Sequence, residues 1–370
     1  TSFLDGLVHT LVNNKINIDA QLYQPAIVFL NGKYWGIHNI REKVNEYYIK
    51  YKYPDNSSNI DIVEYDNMVE KPEACYGKLD DYNKMIEFIK NNKLSIKENY
   101  DTVKNWIDID ELINYIVTEV YIGNRDWPSN NLKMWKNKDE DGKWRWILYD
   151  TELSFKKSDE YYKFSMLEYM LAENSDFYKT PAWSNYLIRS LFENDDFKHE
   201  FIQRMAVYLH TIFDTDHVIH VMDSLKSNIE PEITRNHEKW GGIKHTVVPY
   251  FATSASGIEW EANIEFIKRY IENRPGDLRK KTMEYFNLRD TVNLKLRVSD
   301  PMAGKISLMG YPLHNGTFDG YVFADIPIRM EAIPNKGYRF VQWKGGDYDH
   351  ECSIILNKNK RLTAVFERIE

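Results

Sequence analysis

The sequence predicts an α+β fold in which antiparallel hairpins and a helical lobe are followed by a small all-β module. Three patterns lead to this prediction. Hairpin signals occur at residues 26–44 and 132–149, helical periodicity dominates residues 165–288, and period-two alternation with turn signals fills residues 291–370. A length of 370 residues also exceeds one typical domain core, so two or three units are expected.

The composition is that of an ordinary globular chain, with 43% hydrophobic and 28% charged residues. A net charge of −8 argues against a general binder of nucleic acid polymers or anionic membranes. No run of about 18 apolar residues occurs, so no transmembrane segment is expected. The 26 Tyr and 10 Trp residues would suit an aromatic-rich core or a surface that stacks on sugars.

The first elements are a helix and a hairpin. Aliphatic side chains recur at helical spacing over residues 1–13, which predicts a helix. Over residues 26–44 two β-rich runs flank Asn31-Gly32, which is a hairpin turn signal. A short helix with one apolar face is predicted over residues 82–91.

A longer helix is predicted over residues 108–121. Asp108 and Glu111 resemble a capping box at its start, and Gly123 suits its C-terminal end. Six apolar side chains form its stripe: Leu112, Ile113, Ile116, Val117, Val120 and Tyr121. The second hairpin follows and is predicted to turn around residues 139–142.

The second half of the chain changes character once. The strongest helical patterns are residues 183–192, 197–213, 217–229 and 258–286. Short strand-like runs separated by turn signals then begin near Thr291. The change predicts a first domain over residues 1–288 and a separate β module over residues 291–370.

One ordered set of polar residues indicates chemistry. Phosphoryl transfer requires a carboxylate near the attacking hydroxyl and oxygen ligands that hold divalent metal ions on the phosphates. Protein kinases supply them from an Asp, an Asn five residues later, a hairpin and a second Asp. Here Asp126 and Asn131 have this spacing, and Asp150 ends the hairpin that follows. Glu152 would share a side with Asp150 if the chain stays extended. Asp and Asn alone would also suit a polar turn.

Three segments resemble the spore-coat-protein-H (CotH) kinase family, and the similarity spans roughly residues 1–288. The first, residues 31–42, has the hairpin signature of Asn-Gly, an aromatic, Gly and a closing Glu. The others are residues 124–131 and 146–150. The later helical markers are Arg235, His237, Trp240, Arg274 and Pro275.

The C-terminal module resembles a second family. Residues 337–343 and 362–366 are similar to the divergent internalin-type (listerial) repeats of bacterial surface proteins.

The kinase resemblance implies an atypical protein-kinase-like domain that is secreted or surface-associated. It implies ATP and Mg²⁺ or Mn²⁺ as cofactors, and a protein as substrate. By the same resemblance Asp126 would be the catalytic carboxylate, and Asn131 and Asp150 would be metal ligands, with Glu152 as a further candidate.

The nucleotide would be held without a glycine-rich loop, because neither G-x-G-x-x-G nor G-x-x-x-x-G-K-[ST] occurs. Phosphate contacts would have to come from side chains such as Arg41 and Lys43, although each charge taken alone favours a solvated position on a strand. The resemblance adds Glu42 as a group that organises phosphates or their metal, and Tyr149 as an aromatic that stacks on adenine.

Two departures leave alternatives open. Leu148-Tyr149 stands where the family usually has Pro-Trp, and Glu152 stands where a second Asp is common. Glu can bind the same hard cation through a longer arm. One alternative is a catalytically inactive kinase-like protein used for surface adhesion or envelope assembly. The other is a carbohydrate-binding or carbohydrate-active protein, which the abundant Trp and Tyr would suit.

Overall fold

The computed structural model describes residues 2–56, 59–66, 71–139, 142–155, 164–173, 182–241 and 257–369. The predicted turn at residues 139–142 contains Glu140 and Asp141, which lie outside the described residues. Two parts of the predicted helical region, residues 174–181 and 242–256, also lie outside them.

The described helices are α1 (Leu4–Val12), α2 (Glu46–Lys52), α3 (Asp80–Asn91), α4 (Lys97–Val103), α5 (Ile109–Ile122), α6 (Met166–Leu171), α7 (Tyr186–Leu191), α8 (Asp195–Leu209), α9 (Thr215–Trp240) and α10 (Gly257–Phe286). The described strands are β1 (Asp19–Ala20), β2 (Tyr23–Leu30), β3 (Lys33–Arg41), β4 (Ile60–Asp66), β5 (Lys71–Tyr76), β6 (Leu132–Asn137), β7 (Arg145–Leu148), β8 (Thr291–Val298), β9 (Gly304–Leu308), β10 (Tyr311–Pro312), β11 (Thr317–Phe323), β12 (Pro327–Pro334), β13 (Tyr338–Lys344), β14 (Glu351–Ile355) and β15 (Lys360–Arg368). These elements confirm the predicted α+β class. None of the described helices is long and apolar enough to cross a membrane.

The chain forms two compact units. The first contains residues 1–92, 101–187 and 216–274, and the second contains residues 93–100, 188–215 and 275–370. Helix α8 therefore belongs to the same unit as the C-terminal strands. The domain limits inferred from the sequence stay a prediction.

The first unit is built on a five-stranded sheet with the order β1-β7-β6-β4-β5. β1 runs parallel to β7, and the other neighbours are antiparallel. One face of the sheet packs on α2 through a cluster of buried side chains: Tyr48, Ile49, Ile60, Ile62, Trp135 and Ile147. This apolar contact fixes the strands that lead into and out of the predicted site.

Strands β2 and β3 form a separate two-stranded hairpin with the predicted Asn31-Gly32 turn. Helix α9 holds the hairpin at its middle. Asn236 Oδ1 accepts from the Ile37 backbone N–H at 3.0 Å, and the Trp240 indole donates to the Trp35 carbonyl at 2.7 Å. Gly36 has φ +111°, and a Cβ there would lie 2.6 Å from Asn236 Oδ1 and from Trp240 Nε1. The close approach therefore requires glycine.

Helix α5 is buried on all sides, because every residue from 111 to 122 is buried. The predicted cap is half right. Asp108 Oδ1 accepts from the Glu111 N–H at 3.2 Å, but the Glu111 carboxylate turns to the Trp146 N–H at 2.9 Å instead of returning to Asp108. The Asp108 N–H donates to the Trp144 carbonyl. The β7 segment therefore replaces the second half of the capping box.

Helix α9 extends beyond its strongest sequence pattern. That pattern covers residues 217–229, and the helix continues through Pro231 to Trp240. The contacts of Asn236 and Trp240 with the hairpin give the added turns a packing surface, which outweighs the hydrogen bond that proline removes.

The second unit contains two four-stranded sheets with the orders β10-β9-β12-β14 and β11-β8-β15-β13. Helix α8 is tied to them by Gln203, whose amide donates to the carbonyls of Phe323 and Ile326 and whose oxygen accepts from the Phe323 N–H. The predicted β module is therefore confirmed as an all-β arrangement.

Candidate active site

The end of α5 delivers the first site segment. Gly123 adopts φ +66° at the C-cap, and its N–H donates to the Glu119 carbonyl. The chain then turns, and Asn124 Oδ1 accepts from the Asp126 N–H at 3.2 Å. Helix termination by a left-handed glycine and an Asx turn together aim Asp126 away from the helix.

Two amides hold the Asp126 carboxylate. The side chains of Asn130 and Asn131 donate to Asp126 Oδ2 at 2.9 and 2.7 Å. Asn131 has φ +53°, a left-handed conformation that Asn adopts more readily than most residues. Among the described residues, no side chain or backbone group donates to Asp126 Oδ1. One carboxylate oxygen is therefore fixed and the other is open.

The β6–β7 hairpin returns the chain to Asp150, which has φ +51° and is exposed at the surface. The pKa of its carboxyl is nevertheless raised, first by loss of solvent around the group and then by the charges of Glu152 and Asp126. Arg41 and the Asn131 side chain oppose the rise. Asn131 therefore contacts Asp126, and the charges of Asp126 and Glu152 reach Asp150. The assignment of these four residues to one site stays a prediction.

Arg41 faces this group from the end of β3. Its guanidinium forms an ion pair with Asp5. Burial lowers the pKa of Arg41, and the negative charges of Glu152 and Asp150 oppose this shift. The guanidinium also lies 5.1 Å from the centre of the Tyr23 ring. Arg41 Nε is buried without a hydrogen-bond partner. A buried cationic donor without an acceptor is suited to an anion.

Asp5 joins Arg41 to the metal-ligand segment. Its Oδ1 accepts from both the N–H and the hydroxyl of Thr151, each at 2.7 Å. His9 Nε2 lies 3.4 Å from the same oxygen. Burial lowers the pKa of His9 to about 3, so His9 is neutral at pH 7 and does not compete with Arg41 for the Asp5 charge.

Two more predicted residues follow Arg41. Glu42 Oε2 accepts from the Leu22 N–H at 2.7 Å, and its backbone carbonyl accepts from the Gln21 amide. Lys43 is exposed. Glu42 lies close enough to His9 for its negative charge to oppose the lowering of the His9 pKa by burial.

Tyr149 lies on the other side of the hairpin end. Its hydroxyl donates to Glu64 Oε1 at 3.1 Å, and Lys133 Nζ lies 4.7 Å from the centre of its ring. Lys133 also pairs with the same Glu64 oxygen at 2.9 Å. Burial and the Glu64 charge raise the pKa of Tyr149, so the phenol is neutral at pH 7.

Sequence reasoning missed Glu119, which lies on α5 behind the site. It is fully buried, and neither carboxyl oxygen has a well-formed hydrogen bond. Burial raises its pKa to about 8, the nearby Asn124 and Tyr115 side chains oppose the rise, and the charges of Asp126 and Asp150 add to it. The α5 sequence has apolar residues on most faces of the helix, which leaves little exposed surface for an acid. This pattern could have indicated that Glu119 is buried.

Asp5 was also missed, because it is a single acid in the first turn of a helix, where acids commonly serve the helix dipole.

The oxygen atoms of this site are of the kind that Mg²⁺ and Mn²⁺ prefer. Three acidic residues and one Asn supply them. Burial raises the pKa of Asp150, and the charges of Glu152 and Asp126 add to the rise. Within the described residues, no group of three or more His, Cys, Asp or Glu side chains is close enough to hold a metal ion by itself. A metal ion here would also need the Asn131 oxygen and oxygens from a bound phosphate.

Comparison with known families gives two matches. The family described as CotH kinase protein matches residues 3–278, and the divergent InlB B-repeat domain matches residues 311–370. A search of curated proteins found no match. Since the first match covers well over half of the chain, this kinase-like chain belongs to the CotH kinase protein family, with a C-terminal part similar to divergent InlB B-repeats.

Proposed function

We propose that the chain is an atypical protein kinase that transfers the γ-phosphoryl group of ATP to a protein hydroxyl with Mg²⁺ or Mn²⁺. The observation that carries the proposal is the convergence of Asp126, Asn131 and Asp150 from two ends of one hairpin. Asn131 donates to Asp126 at 2.7 Å, and Asp126 and Asn131 both act on the pKa of Asp150. This is the set that phosphoryl transfer requires.

Asp126 is proposed as the catalytic carboxylate. Two amides bind its Oδ2, which fixes the plane of the carboxylate and leaves Oδ1 for the acceptor hydroxyl. In this position Asp126 would orient the hydroxyl and take its proton as the new phosphate ester forms.

Asn131, Asp150 and Glu152 are proposed as the residues that hold the metal ion. A bound divalent ion would neutralise charge on the phosphates of ATP. The repulsion that Asp126 and Glu152 impose on Asp150 supports this role, because a cation bound there would relieve it.

The phosphates are proposed to lie near Arg41, with Lys43 and Glu42 beside them. The unpartnered Arg41 Nε supports a phosphate contact. Tyr149 is proposed to contact the nucleotide base, as its counterpart would in the family. The protein acceptor and an extracellular or cell-surface location rest on the kinship with the family alone.

The test is isothermal titration of ATP in the presence and absence of Mn²⁺. We expect metal-dependent binding for the wild-type chain and its loss in Asp150→Ala. Asp55→Ala is the matched control, because Asp55 is an exposed acid of the same unit. Incubation with radiolabelled ATP and protein acceptors would then report transfer, which Asp126→Asn should abolish. Binding that is equally strong in Asp150→Ala would refute the metal assignment.

A catalytically inactive kinase-like surface protein is the second candidate. Two proposed ligand groups already have protein partners, since Arg41 pairs with Asp5 and the Tyr149 hydroxyl donates to Glu64. If the folded wild-type chain shows no metal-dependent nucleotide binding, this second function is favoured over the kinase.

A further inference from the structure

One open sheet face of the second unit carries an excess of positive charge. Strand β8 alternates strictly, with Val292, Leu294, Leu296 and Val298 buried and the residues between them facing outward. Residues 291–370 contain 11 Lys and Arg against nine Asp and Glu, while the whole chain has a net charge of −8. Four of these 11 basic residues, Lys295, Arg297, Lys344 and Arg361, lie on one face of the sheet β11-β8-β15-β13.

The strand register places the basic residues side by side. Thr317, Arg297, Thr363 and Lys344 stand directly opposite one another across β11, β8, β15 and β13. A second row consists of Asp319, Lys295 and Arg361. Neighbouring strands are about 4.8 Å apart, and the two rows are about 6.8 Å apart along each strand. Four cations therefore share one small area with one acid.

The acid is already neutralised. Lys295 Nζ pairs with Asp319 Oδ2 at 2.6 Å, and Asn293 donates to Asp319 Oδ1 at 3.0 Å. Arg297 Nε donates to Thr363 Oγ1 at 3.0 Å, which holds the guanidinium over the sheet. Among the described residues no ion pair joins Arg297 to an acid, while the charge of Arg361 helps to lower the pKa of Asp319, after the hydrogen bonds from Lys295 and Asn293. The face thus has one guanidinium group held over the sheet by Thr363, with Arg361 on the neighbouring strand.

Five residues of these rows line a groove of about 580 Å³, together with Leu296, Phe318 and His210. The five are Thr317, Arg297, Asp319, Lys295 and Arg361. The cationic groups of the groove donate and cannot accept, and its side-chain acceptors include the engaged Asp319 carboxylate and the Thr317 hydroxyl. A peptide would bring backbone N–H groups that need acceptors, whereas a phosphate chain brings acceptors only. Single-stranded nucleic acid would also need open aromatic faces for base stacking, but Phe318 in the groove is buried and the His210 ring packs against Phe318 and Tyr321.

We propose that this face, defined by Lys295, Arg297, Arg361 and Lys344, binds a linear polyanion made of phosphate groups without bases. Guanidinium groups suit phosphate because their paired N–H donors match two phosphate oxygens. Their spacing across neighbouring strands would let successive phosphates of one chain contact successive cations. The inference is independent of the proposed kinase activity.

The test uses the full chain and fluorescently labelled long-chain inorganic polyphosphate, followed by anisotropy at several NaCl concentrations. The variant is Arg297→Gln with Arg361→Gln. Its matched control is Lys305→Gln with Lys336→Gln, because Lys305 lies on the other sheet and Lys336 precedes β13. Both variants lose two positive charges. A comparison of their affinities therefore separates the effect of this face from the effect of net charge. Circular dichroism and thermal melting check that each variant folds.

We expect the arginine variant to bind polyphosphate at least tenfold more weakly, with the slope of log affinity against log salt reduced by about two. The control should stay within twofold of wild type. Equal weakening in both variants would overturn the proposal, because it would show that only net charge matters. Tighter binding of poly-glutamate or of a single-stranded oligonucleotide than of polyphosphate would overturn it as well.

Discussion

Asp5 on α1 accepts two hydrogen bonds from Thr151, one from the backbone N–H and one from the hydroxyl, each at 2.7 Å. Thr151 stands between Asp150 and Glu152, so the contact fixes the backbone between two proposed metal ligands. The other Asp5 oxygen pairs with Arg41. Asp5 is only 4% exposed, so both interactions occur where water competes little. The first helix thereby positions both a proposed phosphate contact and the proposed metal ligands.

Replacing Asp5 tests this role. In Asp5→Asn the side chain keeps its size and one acceptor for Thr151, but it loses the charge that compensates Arg41. We expect the free energy of unfolding to fall by about 3 kcal/mol, since the remaining partner is a partly buried charge. Metal-dependent ATP affinity should fall at least tenfold at a temperature where the variant is folded.

The control for Asp5→Asn is Asp80→Asn, since Asp80 is also an acid in the first turn of a helix but is exposed. Denaturant unfolding and titration calorimetry measure the two effects separately. A variant that loses stability but binds Mn²⁺-ATP as tightly as wild type would restrict Asp5 to a structural role.

The charge of Asp150 should cost stability when no metal is present. Its pKa is raised, so the group favours the folded state below its ordinary pKa and loses that contribution as the pH rises. At pH 7.5 in EDTA we therefore expect Asp150→Asn to melt at a higher temperature than wild type. Asn is also well suited to the left-handed conformation at φ +51°.

When ligand is added, wild type should melt at a higher temperature than Asp150→Asn, which reverses the order expected in EDTA. At Mn²⁺-ATP concentrations a hundredfold above the dissociation constant, wild type should gain about 2.7 kcal/mol, and the variant should gain little. Thermal melts with and without ligand measure both parts, with Asp55→Asn as an exposed control. If Asp150→Asn is less stable than wild type in EDTA, the carboxylate has a structural role instead.

Local patterns predicted the elements that hold the proposed ligands. Asp126, Asn131, the hairpin and Asp150 follow one another closely along the chain. Their order alone was therefore enough to predict that they lie near one another. Asp5 and Thr151 are separated by 146 residues, and the sequence around each does not predict the hydrogen bond between them. Glu119 was hidden for another reason: its helix was read as having one apolar stripe, whereas the structure buries it on every side.

Arg274 was recognised only as a family marker, and its physical role became visible in the structure. It is 2% exposed on α10, where Nε donates to the Tyr121 carbonyl at 2.8 Å and Nη2 donates to the Val120 carbonyl. Tyr270 donates to the same Tyr121 carbonyl at 3.0 Å. These bonds satisfy carbonyls in the last turn of α5, directly ahead of the Asp126 loop.

Lysine at position 274 should not replace these bonds, because an ammonium group lacks the planar fork of arginine. We expect Arg274→Lys to lower the free energy of unfolding by about 2 kcal/mol. Amide hydrogen exchange should quicken at residues 120–126 before the rest of α5. Arg269→Lys on the exposed face of the same helix is the control. Uniform acceleration over the whole unit would show a global effect and argue against a local cap.

The buried Glu119 predicts a pH dependence of stability. Burial raises its pKa to about 8, so the folded chain binds a proton that the unfolded chain has released above the ordinary value near 4.5. Stability is therefore greatest below that ordinary value and falls as the pH rises towards 8. The slope for one proton is at most about 1.4 kcal/mol per pH unit. Glu119→Gln should remove this slope.

The measurement for Glu119 is urea unfolding between pH 5.5 and 8.5 in metal-free buffer, taken as the difference between wild type and Glu119→Gln. The difference cancels groups that titrate alike in both chains, including His9, whose lowered pKa acts in the opposite direction at acid pH. Glu87→Gln, an exposed acid on α3, is the control and should give a flat difference. A flat difference for Glu119→Gln as well would show that Glu119 is ionised in the folded chain, with a counter-charge or water at its carboxylate. A difference that falls with pH would identify Glu119 as a protonated acid behind the Asp126 loop. Its protonation keeps a further negative charge away from Asp126 and Asp150.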